Sequence, residues 1–437
     1  MAHKHKLCGI NAALDVLSAG FPGTRIVVVG DFMLDRYIYG DVERISQEAP
    51  VPIVKIKSEK YVAGGAGNVA ANLAGLGVGA FAVGNAGSDR YGERLISILS
   101  SMGVNTSAFT AFGSTTVKTR IMGSNSQQMI RLDEENILSL SVSYQETILA
   151  NVKEALLCGA DAIIISDYEK GFCSAKLCQS LIAAAKELGV PVWVDPKKDD
   201  WLAYRGASVV TPNLKELSAA CGRKILNDDS VVTEAALTLM KRFSLGAVLA
   251  TRSEKGATLV TEQNVSHIPS RAVEVYDVSG AGDTMIASTC AFCAAGIDIK
   301  TAVTLANTAS QIVIGKAGTS PITANELFCA LACRIGDMPT KILSQDTAAK
   351  LCEMWKGMGS RVIFTNGCFD ILHTGHIDSL SFAKSLGDRL IVGLNSDASV
   401  KRLKGSDRPI NCCEARAKVL AGLSVVDAVV IFEEDTP

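Results

Sequence analysis

The segment DVSGAGDTMIAS, 277–288, sets Gly280, Ala281 and Gly282 directly before Asp283 and a long apolar helical stretch. Small residues at a helix start let main-chain N–H groups converge on an anion, and the helix dipole adds favourable potential there. Asp283, beside that turn, can accept the proton of an attacking hydroxyl, so the two features together suit phosphoryl transfer. The plainer explanation is an acid favoured only by the dipole. A second glycine cluster, AGGAGNVAANLAGLG at 63–77, weighs towards chemistry. Gly64, Gly65 and Gly67 allow main chain to press against a ligand, and Asn68 offers a donor and acceptors for hydroxyls.

The chain has five His, and two of them, His373 and His376, lie together in FTNGCFDILHTGHIDSL. RVIF reads as a strand, Asn366-Gly367 as its turn, and Ile377 to Leu386 has helical spacing. Two imidazoles three apart at a helix start can face a phosphate arriving at the positive end of the dipole. A zinc site would want further ligands, and a structural His pair is the bland alternative. Three other patterns are set aside. Gly65 to Ala70 fits G-x-G-x-x-A, but the preceding Glu59-Lys60-Tyr61-Val62-Ala63 does not read as a buried strand ending at the turn. Gly315-Lys316 is followed by Ala317, so no Walker loop is present. Cys290-Ala-Phe-Cys293 sits inside a helical run with no second ligand pair nearby in sequence and reads as core.

Strands separated by helices must hold these groups. RIVVVGD (25–31), DAIIISD (161–167), VPVWVDP (190–196), ASVVTPN (207–213) and GAVLATR (246–252) are almost entirely apolar. Such runs belong in a parallel sheet covered on both faces, which binds ligands beyond the carboxyl ends of its strands. Residues 35–62 and 110–132 alternate instead, as in VPIVKIK and TTVKTRIM, and predict half-exposed antiparallel strands set apart from the main sheet, either a lid or a plain edge extension. Polar residues and a Pro near 335–345 mark a boundary, after which a helix at roughly 346–357 and a new strand at 361–367 restart the alternation. The expected division is a first domain at 1–335, a linker with a helix at 336–358, and a second domain at 359–437.

A length of 437 residues accommodates two domains. With 43 Lys+Arg against 45 Asp+Glu the net charge is −2, which advertises neither a nucleic-acid nor a membrane partner. Thirteen Cys, about 3% of the chain and an odd number, read as reduced thiols rather than a disulfide scaffold. Asn11 and Asp15 interrupt any secretion signal, and Met285 to Ile297 is too short to span a bilayer, so a cytoplasmic protein is expected.

The two glycine segments together resemble the two signatures of the PfkB/ribokinase family of sugar kinases, over roughly residues 20–325. The resemblance implies that Gly64, Gly65 and Asn68 help hold the sugar, that Gly280, Ala281 and Gly282 form an anion hole, and that Asp283 is the base. Asp35 in GDFMLD matches the family's hydroxyl-binding acid. Asn213, Leu214, Lys215 and Glu216 match its N-x-x-E element beside ATP, implying that Asn213 and Glu216 organise Mg²⁺ through water. Thr251 to Gly256 stands where T-x-G-x-x-G is usual, with Ser253 replacing the middle Gly. Asn307 is a candidate on the adenine side, and Asp277 for a monovalent-cation site, with K⁺ the implied ion. For the phosphate of a phosphorylated sugar, Lys118, Arg120, Arg131 and Lys198 are candidates.

GCFD-x-LH-x-GH, residues 367–376, resembles the HxGH nucleotidyltransferases, closest to cytidylyltransferase-like members. It implies that His373 and His376 stabilise charge on the nucleotide phosphates, and Asn395 and Asp397, at the end of LIVGLNSD, fall where a ribose or base would lie. Lys401, Lys404 and Arg408 are either phosphate contacts or a solvated basic face. The chain ends at Pro437, about 77 residues from Arg361, without the later Ser/Thr-rich phosphate motif, so the second domain is expected to be truncated. The implied fold is α/β: a ribokinase-like, mostly parallel sheet with a small β lid, then an incomplete Rossmann-like HxGH domain. A kinase acting on an anomeric hydroxyl makes the sugar 1-phosphate that a nucleotidyltransferase consumes. This order resembles bacterial enzymes that phosphorylate heptose 7-phosphate and later adenylylate the 1-phosphate. The alternatives are a kinase of another sugar with an inactive tail, and a non-catalytic sensor. Small molecules, a sugar phosphate and ATP, are the expected partners, in a homodimer.

Overall fold

In the first unit, strands rich in Val, Ile and Ala and almost free of charge lie side by side, because both faces of their sheet are covered. The computed structural model describes residues 9–123, 127–270, 276–316, 318–332 and 341–434. They fall into two compact units, residues 21–323, and residues 9–20 with 324–434. The expected boundary at 335/336 lies outside the described residues.

The eight-stranded sheet of the first unit runs, edge to edge, Val265–Ile268, Ala257–Thr261, Ala247–Thr251, Val209–Val210, Val192–Asp195, Ala162–Ser166, Arg25–Gly30 and Gly79–Val83. The last six of these are mutually parallel, Ala257–Thr261 turns back antiparallel, and Val265–Ile268 pairs antiparallel with it. Ile163, Ile164 and Ile165 are fully buried, and each such side chain contributes roughly 1.5–3 kcal/mol over exposure. From Arg25–Gly30 the chain steps one way to Gly79–Val83 and later the other way to Ala162–Ser166. That reversal opens a crevice at the carboxyl ends of these strands, the place where such sheets take ligands.

A separate four-stranded sheet has the order Pro52–Gly65, Phe32–Ile45, Val117–Met122 and Gln128–Glu134. Its outer pairs are antiparallel as expected, but Phe32–Ile45 and Val117–Met122 run parallel. Thr110–Ala111 belongs to neither sheet and pairs with Asn85–Ala86. A second correction concerns Glu59 to Ala63. These residues do form a strand, Pro52–Gly65, whose last residues Val62 to Gly65 are buried and lead directly into the helix Ala66–Leu76. The strand is part of the small sheet, so the dinucleotide pattern still lacks its parallel core strand.

The second unit has a parallel sheet in the order Ile342–Leu343, Ala428–Phe432, Arg389–Asn395 and Val362–Gly367, flanked by the helices Gln345–Gly357, Thr374–Ser385 and Cys413–Ala421. Asn366 and Gly367 do not turn the chain as expected; they continue the strand opposite Gly393 and Leu394.

Candidate active site

Asp283 lies in the first turn of the helix Ala281–Ala294, where main-chain amides have no intrahelical acceptor. Gly280 caps this helix at φ +83, a conformation costly for a residue with a side chain, and a Cβ there would stand 2.6 Å from Asn68 Nδ2. The missing side chain lets Asn68 reach across: its Nδ2 donates to Asp283 Oδ2 at 2.7 Å. Tyr168, just beyond the strand Ala162–Ser166, donates its hydroxyl to Asp283 Oδ1 at 2.8 Å. Burial pushes the Asp283 carboxyl up to about 6; the two hydrogen bonds pull it back, the Asp35 charge adds to the rise and Lys118 opposes it.

Asn68 is itself oriented. Buried Asn72, one helical turn on, donates to Asn68 Oδ1 at 3.2 Å and to the Asn68 carbonyl at 2.8 Å. The acceptor Asn72 Oδ1 takes Thr284 Oγ1 and the Ile322 N–H, both at 3.0 Å. With its carbonyl oxygen engaged by Asn72, Asn68 can only present NH₂ to Asp283.

The small sheet supplies the other wall. Asp35 pairs in register with Lys118, and Arg120, two residues further, shares that face. Arg120 Nη1 meets Asp35 Oδ1 at 2.5 Å. Gly64 makes room for this acid, since a Cβ there would lie 2.5 Å from Asp35 Oδ2. Lys118 is lowered by burial, against the pull of Asp35 and Glu135, and its Nζ lies 5.5 Å from the Tyr168 ring centroid. The other two basic candidates are engaged elsewhere: Arg131 with Asp133 on an exposed strand, and Lys198 with Asp167 and the Cys173 carbonyl.

At the other end of the crevice, Asn213 caps the helix Leu214–Cys221, its Oδ1 accepting from the N–H groups of Lys215 and Glu216, while Glu216 Oε2 accepts the Asn213 N–H at 2.9 Å. Lys197 Nζ lies 3.3 Å from Glu216 Oε1. Thr251 bridges to Asn213, bringing the 251–256 segment beside this cap. Ser253 holds φ +52, in the left-handed region that a Gly would occupy without strain, and Gly256 has φ +83. Asn307 is buried and donates to the Pro269 carbonyl, and half-buried Asp277 accepts the Ser279 N–H. Asp195 ends its strand facing Asp283 and Glu216; burial, then these two charges, push its carboxyl well above the ordinary range. A divalent cation held through water by Asn213 and Glu216 fits this surplus of negative charge.

Sequence reasoning did not single out Tyr168, Asn72, Asp31 or Asp195, although all but Asn72 stand at strand ends where a ligand crevice was predicted. Cys290 and Cys293 belong to no cluster of metal-binding side chains among the described residues.

In the second unit His373 caps the helix Thr374–Ser385 and stacks on His376, centroids 3.9 Å apart. Burial, the His373 charge and Lys404 lower His376. Asn395 donates to Ser399 Oγ, with Cys368 Sγ 3.9 Å from its Oδ1. Asp397 is paired at 2.7 Å with buried Arg416, which also holds the Cys368 carbonyl. Arg408 pairs with Asp370.

A sheet with this switch point, a covering β sheet and an acid at a Gly-Ala-Gly helix start define a sugar-kinase architecture, and the chain belongs to the pfkB family of carbohydrate kinases, which matches residues 23–325. Residues 364–437 match the cytidylyltransferase-like family. Over both units the chain is similar to the bifunctional protein HldE of Methylobacillus flagellatus, 46% identical over 94% of this chain and 85% of that protein. The HldE of Mesorhizobium japonicum is 45% identical over 96% of this chain and 85% of its own. Among solved structures, Arabidopsis thaliana ribokinase complexed with ribose and ATP shares the fold at TM-score 0.56 and 20% identity, covering 70% of this chain and 98% of that one. Escherichia coli phosphofructokinase-2 in complex with potassium gives 0.58 and 20%, covering 71% and 99%.

Gly280→Ala should leave the fold intact but displace Asn68 and the helix start. Kinase turnover is expected to fall by about 10²-fold, the scale of a misplacement near 1 Å, with an unchanged far-ultraviolet spectrum; steady-state kinetics check this.

Proposed function

We propose that the first unit phosphorylates D-glycero-β-D-manno-heptose 7-phosphate at its anomeric hydroxyl, using ATP, to give the 1,7-bisphosphate. The second unit, once a phosphatase has removed the 7-phosphate, transfers an adenylyl group from ATP to heptose 1-phosphate, giving ADP-heptose and pyrophosphate. Similarity to bifunctional HldE over both units supports the pairing. The observation that carries the kinase reading is the buried Asp283 carboxylate at the Gly280 turn. A base titrating at about 6 is mostly ionised at neutral pH and close enough to the operating pH to exchange a proton readily.

In this reading Asp283 takes the proton as the anomeric oxygen attacks the γ-phosphorus and ADP leaves. The first-turn amides at 280–282 hold the developing charge. Gly64, Gly65 and Asn68, with Asp35, position the sugar, while Asn213, Leu214, Lys215, Glu216, Thr251, Gly256 and Asn307 surround ATP. Mg²⁺ when bound offsets charge on the transferring phosphates. Lys118 supports a phosphorylated substrate, since burial lowers it and an incoming phosphate would favour its charged form. In the second unit, His373 and His376 steady the α- and β-phosphates and Asn395 and Asp397 lie near the ribose.

Three finer statements belong to the same proposal. A K⁺ ion beside Asp277 would be seen as turnover restored by K⁺ but not by Li⁺. Dependence on ATP supports a cytoplasmic location. No described helix is long and apolar enough to cross a membrane. Exposed Ile45, Ile53, Ile56, Ile130 and Leu132 on the small sheet support a homodimer. Light scattering should then give twice the chain mass, and a monomer at micromolar concentration would rule it out.

ATP consumption measured across heptose, hexose and pentose phosphates should favour the heptose 7-phosphate, and equal rates with hexose phosphates would sink that specificity. Asp283→Asn should retain ATP binding and lose ~10²–10⁴ of the rate. Because the base works deprotonated, kinase turnover should rise with pH through about 6 and level off above it. His373→Ala and His376→Ala should each suppress pyrophosphate release by about 10²-fold or more while sparing the kinase, read by a coupled pyrophosphate assay.

A further inference from the structure

Tyr168 occupies the crevice beside the central strand Arg25–Gly30, and the main chain that carries it is fixed more firmly than a loop requires. Buried Asp31 accepts three amides from it: Tyr168 N–H at 2.8 Å and Lys170 N–H at 3.1 Å on Oδ2, and Phe172 N–H at 3.1 Å on Oδ1. Asp31 lies next to the strand that leads into the small sheet and makes none of these contacts with substrate-facing groups. Its carboxylate is spent on placing one segment. That segment ends in a phenol whose hydroxyl meets Asp283 Oδ1 while Asn68 holds Oδ2. A carboxylate rotates broadly about its last torsion when free. Held at both oxygens, it keeps one plane.

We propose that Tyr168 is a positioning residue for phosphoryl transfer: its hydroxyl fixes the plane of the Asp283 carboxylate, and Asp31, through the 168–172 main chain, sets where that hydroxyl stands. This rests on the kinase reading above. Tyr168 is not the base. Burial and the Asp283 charge raise its phenol well above the ordinary range, so it keeps its proton and acts as a donor. Each carboxylate oxygen has a second lone pair, so Asp283 receives the sugar's proton without releasing Tyr168. The oxygen–phosphorus bond then forms, the bond to the ADP oxygen breaks, and the phenol is unchanged.

The groups facing Asp283 are Asp35 and Lys118 from the small sheet, Asn68 from the helix Ala66–Leu76, Asp195 from its strand, and Tyr168. Of these Tyr168 and Asn68 alone donate hydrogen bonds to it. Removing the phenol takes one donor from the ionised form, so Asp283 titrates higher.

The test uses the full chain and compares wild type, Tyr168→Phe, Asp31→Asn and the double variant for kcat, KM of both kinase substrates, and the pH dependence of kcat. Tyr168→Phe should lower kcat about tenfold or more, leave both KM values within about twofold, and move the acid limb up by roughly 0.5–1 pH unit. Asp31→Asn should shift the limb the same way, so either variant carries the test if the other fails to fold. The double variant should lose no more than Asp31→Asn alone, within about twofold, because the two act through one contact. Wild-type kcat and acid limb in Tyr168→Phe, or losses that simply multiply, would overturn the proposal. A wild-type chain that phosphorylates no sugar phosphate would overturn the kinase reading instead.

Discussion

Keeping one carboxylate ionised where water is nearly excluded is the constraint around which the first unit is organised. The rise of Asp283 from an ordinary 3.8 to about 6 corresponds to on the order of 3 kcal/mol against the charged form. Burial alone would raise the acid further and disfavour its ionised form more strongly. Two neutral donors, Asn68 and Tyr168, hold it back without cancelling its charge, which a Lys or Arg at the same distance would do. On the proposed function, neutral donors therefore leave a base that is both ionised and able to accept a proton. Much of the nearby sequence follows from this. Gly280 must lack a Cβ for Asn68 to approach, Asn72 must fix the sense of the Asn68 amide, and Asp31 must hold the chain that bears Tyr168.

The small sheet adds a second balance of charge. Asp35 and Arg120 neutralise one another, and Gly64 allows the acid to sit low between the strands. Lys118 on the same face pairs only at longer range, so it is the cation with capacity left for an anionic substrate. An anionic group entering beside Lys118 would offset the cost of burying its charge, which a neutral sugar would not.

The residues legible in sequence were those whose chemistry is local. Gly280 to Asp283, Gly64 to Asn68 and His373 to His376 each combine a turn, a helix start and a polar side chain within ten residues, and the structure sets them at helix starts. The parallel strands were legible because their apolar runs are uninterrupted. Tyr168 and Asp31 were not, because their partners lie 115 and 137 residues away and nothing in SDYEKG distinguishes a phenol on a loop from one on a base. The strand before Gly65 was expected as half-exposed, but its buried end was missed for a different reason. It is exposed along most of its length, Pro52 to Lys60, and only its last four residues enter the interior, so no one pattern holds throughout. Asp397 has a structural role that its place at a strand end did not reveal: its carboxylate holds Arg416 and, through it, the main chain of the histidine motif.

On the proposed function, the two units meet phosphate with the same helix geometry and different side chains, and the difference follows from the nucleophile. A sugar hydroxyl is a poor nucleophile until its proton leaves, so the first unit must place a base at the helix start and accept the cost of burying it. A sugar phosphate arrives already ionised, so the second unit needs no base, only positive or polarisable groups where charge grows. Two stacked imidazoles at a helix start meet that need, and His376, lowered by burial and by its neighbours' charges, is poised to gain a proton when a phosphate enters. The buried acid of one unit and the stacked histidines of the other are thus opposite answers to a single question, whether the attacking oxygen brings its proton with it.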